Sequence, residues 1–172
     1  MLRQAAALVL LLGFAGAPLR GSQVRPPAPD PQPAPAEVQT LVREALEDVL
    51  NRDALPDGTL FRNARRIAVQ AEMRRARLAL GQDALPRREG FEYYLMSEEE
   101  IQAQAERTGA SVYFVVVDTP VITGNRALLT AGVNVREPRG TRLALCCCIG
   151  FGQFERRDGR WRLLGFPRLV CA

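Results

Sequence analysis

The chain contains no histidine among its 172 residues, which removes the usual proton shuttle at neutral pH. Serine, threonine and cysteine nucleophiles therefore have no imidazole to activate them. The acid–base set that remains is Asp118, inside an apolar run, with Tyr93, Tyr94 or Tyr113 as candidate partners. The same residues have a structural reading, with Asp118 ending a strand before Thr119-Pro120 and each tyrosine in the core with its hydroxyl at the rim. Glu98, Glu99 and Glu100 mimic a metal or catalytic cluster. Their place behind Ser97 is explained by helix capping and the helix dipole alone. Gly150-Phe151-Gly152 follows a strand but opens no helix, so it is not a nucleotide fingerprint. The residues name no catalytic group, no metal and no cofactor.

All four cysteines, Cys146, Cys147, Cys148 and Cys171, and the single tryptophan fall in the last thirty residues. Asp158-Gly159 between two apolar-rich runs signals a β-hairpin. A two-residue loop sets Arg157 opposite Arg160, Glu155 opposite Arg162, Gln153 opposite Leu164 and Phe151 opposite Phe166. Continued to the end, it sets Cys146 opposite Cys171, at a non-hydrogen-bonded site where Cα atoms are about 4.5 Å apart. That makes a Cys146–Cys171 disulfide the expected staple, with a loop-closure contribution of about 3.5 kcal/mol. Gly150 and Gly152 are bulge candidates and Pro167 cannot donate to the ladder, so one slip moves Cys171 beside Cys147 or Leu145. A metal site and reduced, buried or vicinally paired thiols are the other readings. The chain lacks the C-x2-C spacing and the histidines of common zinc sites.

All 23 basic residues are arginine, and the formal net charge is +4. That balance makes a weak case for nucleic acid. The arginines Arg62, Arg65, Arg66, Arg74, Arg75 and Arg77, with Arg87 and Arg88 beyond them, form the one basic patch. It suits either an anionic surface such as lipid or polysaccharide, or a solvated face salted by neighbouring acids.

The elements that must position these groups are read in order. Arg3 followed by an apolar run from Ala5 to Phe14 fits a secretory signal peptide over residues 1–22, too short to span a bilayer comfortably. Residues 23–36, with six prolines, read as a semi-rigid linker. Residues 37–172 then form a single domain. Val38, Leu41, Val42, Ala45, Leu46, Val49 and Leu50 predict an amphipathic helix, ended by the turn Pro56-Asp57-Gly58. Residues 60–80 carry both helical and alternating patterns, with a strand favoured over Arg66–Glu72. Phe91 to Met96 is a short strand, and Ser97 with Glu100 opens a second helix that Gly109 stops. From Val112 the chain reads as a four-stranded antiparallel meander with turns at Thr123-Gly124-Asn125, Pro138-Arg139-Gly140 and Asp158-Gly159. The expected class is α+β: two helices packed on one side of a curved, mainly antiparallel sheet.

Leu85-Pro86, the run Tyr94 to Gln102, and the strands ending in Gly159-Arg160-Trp161-Arg162 resemble small secreted bacterial domains of the nuclear-transport-factor-2-like or cystatin-like α+β cone. The resemblance covers about residues 62–172; the cysteine triplet departs from it. It implies the fold more than an activity. Because some cone-fold members are isomerases or dehydratases with a pocket between helix and sheet, it also implies where Asp118 and the tyrosines would act. The expected protein is a periplasmic or secreted, non-catalytic domain that binds a protein or small ligand in the cell envelope or plays a structural role. It would have no transmembrane segment once the signal is removed. A small-molecule pocket protein and an envelope-surface binder are the alternatives.

Overall fold

The computed structural model describes residues 30–73, 77–141 and 147–171. The expected signal peptide and the first part of the linker lie outside these residues. Strand β1 (Gln32–Pro33) is followed by α1 (Ala36–Asn51), a 3-10 turn (Gly58–Phe61), β2 (Arg66–Gln70), β3 (Glu72–Met73) and β4 (Leu78–Ala79). A second 3-10 turn (Gln82–Ala84) leads to β5 (Glu92–Met96), α2 (Glu98–Thr108), β6 (Val112–Val117), β7 (Val121–Thr123), β8 (Arg126–Arg136), β9 (Cys148–Arg157) and β10 (Arg160–Cys171). The class is α+β, and no helix among the described residues is long and apolar enough to cross a membrane.

The large sheet runs β10-β9-β8-β6-β2-β5, with β7 extending the pairing along β8. Strands β6, β8, β9 and β10 form the expected antiparallel meander. The strand expected at 66–72 is β2, which ends at Gln70, with Ala71 separating it from β3. It sits between β5 and β6 and is parallel to both. Four of its five residues are buried, as a covered central strand requires.

Two apolar clusters lie on opposite faces of this sheet. One joins Leu41, Leu46 and Val49 of α1 to Ile67, Val69, Val115, Leu129, Phe154 and Trp161. The other joins Ile101 and Ala105 of α2 to Ala68, Met96, Val112 and Phe114. The alternation of Ile67, Ala68 and Val69 between the clusters is the strand period of two. The expectation that both helices pack on one side is therefore corrected. A covered central strand needs apolar cover on each face, and α2, carried between the parallel strands β5 and β6, supplies the second.

Residues 32–34, expected within the proline-rich linker, pair with β4. Gln32–Pro33 pairs in parallel with Leu78–Ala79, Ala34 N–H donates to the Ala79 carbonyl at 2.8 Å, and Ala34 is 4% exposed. Proline at position 33 is tolerated because β1 is a two-residue edge strand. The α2 start forms as expected. Glu100 N–H donates to Ser97 Oγ at 3.2 Å and Ser97 N–H to Glu100 Oε2 at 2.7 Å, while Gly109 at φ 62° closes the helix.

The C-terminal hairpin keeps the expected register for four pairs, from Arg157↔Arg160 to Phe154↔Leu163, and then slips. One extra residue of β10 enters between Leu163 and Gly165, and a second between Gly165 and Arg168. Gln153 thus faces Gly165 instead of Leu164, and Phe151 faces Arg168 instead of Phe166. The cause is visible at the glycines. A Cβ on Gly150 would come within 2.8 Å of Phe166 Cε1 and 2.9 Å of Pro56 Cγ, and one on Gly152 within 3.1 Å of Phe166 Cε1. The Phe166 ring occupies the space the two glycines leave open, and Pro167 follows inside the second irregularity, where a missing donor costs no ladder bond.

The slip decides the disulfide. Cys171 faces Cys148 and is bonded to it, with Cα atoms 4.0 Å apart. The expected Cys146–Cys171 pairing is corrected accordingly; Cys146 itself lies outside the described residues. The register moves by two residues, an even number, so Cys171 keeps its face of the hairpin and changes only its partner. Cys147 is also disulfide-bonded.

Candidate functional site

The residues proposed from sequence as an acid–base pocket are scattered by the sheet. Asp118 lines a small cavity of about 200 Å³ with Val116, Thr130, Ile149, Phe151 and Val170. Its Oδ1 accepts the Thr119 N–H at 2.7 Å, and its own N–H donates to the Thr130 carbonyl. None of the three tyrosines lines that cavity. Tyr93 packs in the α1-side cluster. Tyr94 lies against the α2-side cluster with the Arg66 guanidinium over its ring at 5.0 Å. Tyr113 is 37% exposed. The cause is parity: Tyr93 and Tyr94 are neighbours on one strand and must point to opposite faces.

The arginine patch resolves into residues with different tasks. Arg66 forms a two-bonded pair with Glu92, at 2.9 and 3.3 Å, and this holds its guanidinium pKa above the usual value. Arg74 and Arg75 lie outside the described residues. Arg77 takes a positive φ of 50° and its carbonyl accepts the Gln32 N–H. Arg62, Arg65 and Arg88 converge near Phe91. The guanidinium carbons of Arg88 and Arg65 lie 4.5 and 5.7 Å from the ring centroid, within cation–π range.

Beside Phe91 is a cavity of about 500 Å³. Leu50 at the end of α1, Leu55, Phe61, Ile67 of β2 and Phe91 supply its apolar lining, while Arg62, Arg88, Asp53 and Asp57 supply charge. Local sequence builds its wall. After α1 ends, Leu55 is buried, and Asp57 adopts φ 54° and starts the 3-10 turn that carries Phe61 inward. The Asp57 Oδ2 accepts the Cys148 N–H, which ties this loop to the disulfide-bearing strand. The Asp53 carboxylate stands 3.7 Å from Arg88, beyond hydrogen-bond reach, with its side chain 86% exposed. The Arg62 N–H donates to the Thr59 carbonyl at 3.1 Å, while its guanidinium makes no hydrogen bond or ion pair among the described residues. Tyr93, stacked on Phe91 with centroids 6.4 Å apart, keeps its hydroxyl buried without a hydrogen bond. Burial pushes its pKa up, and the Arg88 guanidinium partly opposes that rise.

Sequence reasoning grouped Arg62 and Arg65 with a longer patch and missed the apolar cavity beside them. Phe91, Leu50 and Phe61 come from three separate segments, so no spacing in the chain announces their meeting. Among the described residues, no group of three or more metal-ligating side chains comes together. Comparison of the chain with protein-family models, with curated proteins and with solved structures returns no match.

Proposed function

We propose that this chain is an exported, non-catalytic binding domain carried on a proline-rich segment and stapled by a disulfide. The observation that carries the binding reading is the cavity beside Phe91, which combines an apolar wall of Leu50, Leu55, Phe61 and Ile67 with the charged side chains Arg62, Arg88, Asp53 and Asp57. It holds no nucleophile beside a base, and the one acid–base set the chain offers is not assembled, since none of the three tyrosines lines the cavity at Asp118. Export is supported by the Cys148–Cys171 bond, since such staples persist in oxidising compartments, together with the basic-then-apolar N-terminal run. The cone-fold resemblance is supported by α1 lying on one face of a sheet that ends in a meander; the parallel pairs of β2 depart from it.

The test is peptide mapping of the protein from the envelope fraction of its native cells, with thiols blocked and no reductant. Linked Cys148 and Cys171 peptides with a new N-terminus near residue 22 support the reading. A chain with free thiols and an intact leader overturns export.

A further inference from the structure

We propose that the cavity beside Phe91 takes a small amphipathic carboxylate, its headgroup on Arg62 and Arg88 and its apolar body against Leu50, Leu55 and Phe61. The assignment rests on the binding reading above and names its ligand class. Charge sets the sign. Arg62 has no carboxylate partner among the described residues, and Arg88 is matched only to a solvent-exposed Asp53 at 3.7 Å. Of the two acids at the cavity, Asp57 is already engaged by the Cys148 N–H, and Asp53 is held loosely enough for a ligand carboxylate to take its place. A guanidinium presents paired donors that match a carboxylate edge.

Shape sets the rest of the ligand. A free inorganic anion would leave the apolar lining wet, and a purely apolar molecule would leave the Arg62 guanidinium without a carboxylate and Arg88 with only the loose Asp53 contact. A body of roughly acyl or aryl size satisfies both. The cavity volume of about 500 Å³ is within the range of small-molecule sites. Phe91, held by the Arg65 and Arg88 guanidinium groups and by Tyr93, forms a fixed wall for it.

The experiment is calorimetric titration of the oxidised chain at pH 7 and low salt with decanoate, decanol, decylamine and acetate. Saturable binding of decanoate, at least ten-fold tighter than decanol and without measurable binding of acetate, is the expected result. Arg62→Gln weakens decanoate at least five-fold and leaves decanol unchanged; because the Arg62 side chain makes no hydrogen bond or ion pair among the described residues, its thermal unfolding serves as the control for an intact domain. Arg88→Gln added to it abolishes the preference for the acid. Equal affinity for decanoate and decanol, or wild-type decanoate affinity in Arg62→Gln, overturns the carboxylate assignment. Preferential binding of decylamine overturns it too, while keeping a binding domain. Absence of binding by every probe overturns the assignment, and the mapping of the native protein still decides export separately.

Discussion

Asp48 of α1 accepts the backbone N–H of Leu163 in β10 at 2.7 Å, and one turn earlier Glu44 accepts that of Trp161 at 3.0 Å. Residues four apart on a helix rise by about 6 Å, and residues two apart on a strand by about 6.8 Å, so two carboxylates meet two edge donors in step. β10 ends the sheet, and an unpaired edge is a template for association. Here the helix closes the first half of that edge with side chains. Asp48, 5% exposed, also pairs with Arg162 and Arg52, each at 3.1 Å, and Arg52 returns a bond to the Leu163 carbonyl.

Asp48→Ala leaves the Leu163 N–H buried without its acceptor, and an unsatisfied donor of this kind costs about 1–3 kcal/mol. Urea unfolding is expected to show a loss in that range with an unchanged m-value. Asp48→Asn, which keeps an acceptor oxygen, is expected to lose less. Equal stability of Asp48→Ala and wild type would remove the role given to this contact.

The slipped register makes Gly150 a packing requirement. Gly150→Ala sets a methyl against Phe166 and Pro56, and overpacking of this sort costs about 1–3 kcal/mol. Phe166→Leu should recover part of it, so a double-mutant cycle is expected to be non-additive. Additive losses would mean that Phe166 does not lie over the glycines.

Removal of the staple is a third case. Cys148 and Cys171 are separated by 23 residues, for which the loop-entropy estimate is about 3.4 kcal/mol. Cys171→Ser is expected to lower thermal stability by a comparable amount. It should also raise hydrogen exchange at Gly58 to Phe61, because Asp57 is tied to the Cys148 N–H. Unchanged exchange in that loop would show that the tie does not transmit.

Tyr93 gives a pH dependence of known sign. Its folded pKa lies above the ordinary phenol value because burial disfavours the phenolate. The folded state therefore keeps its proton to higher pH than the unfolded chain does. The resulting stability is fully present below about pH 10 and is lost as pH rises through the folded pKa. Tyr93→Phe should remove this alkaline loss. At pH 7 it should cost nothing or stabilise slightly, since the hydroxyl is buried without a partner. Denaturant titrations of both proteins at pH 7 and above pH 10 provide the check; a steeper alkaline loss in the variant would contradict the assignment.

Ser97→Ala removes one half of the capping box and is expected to destabilise by about 1 kcal/mol. Circular dichroism melts read this directly, and an unchanged melt would place the α2 start on packing alone.

The sequence by itself determined what neighbours in the chain decide. The α1 stripe, the Ser97 and Glu100 box, the Gly109 stop, the turn at Asp158-Gly159 and the first four pairs of its hairpin all arise from contacts a few residues long. Tertiary structure decided the matters that require two distant segments to meet. Phe166 settling over Gly150 and Gly152 shifts the strand by two and chooses Cys148 for Cys171. Burial of β2 on both faces sends the helices to opposite sides, and adjacent Tyr93 and Tyr94 part with them. Asp48 and Glu44 lie outside the apolar stripe of α1 by spacing, and only the edge of β10 gives them the N–H groups they accept. Periodicity assigns a residue to a face, but shape and unsatisfied backbone donors decide which partner it meets there.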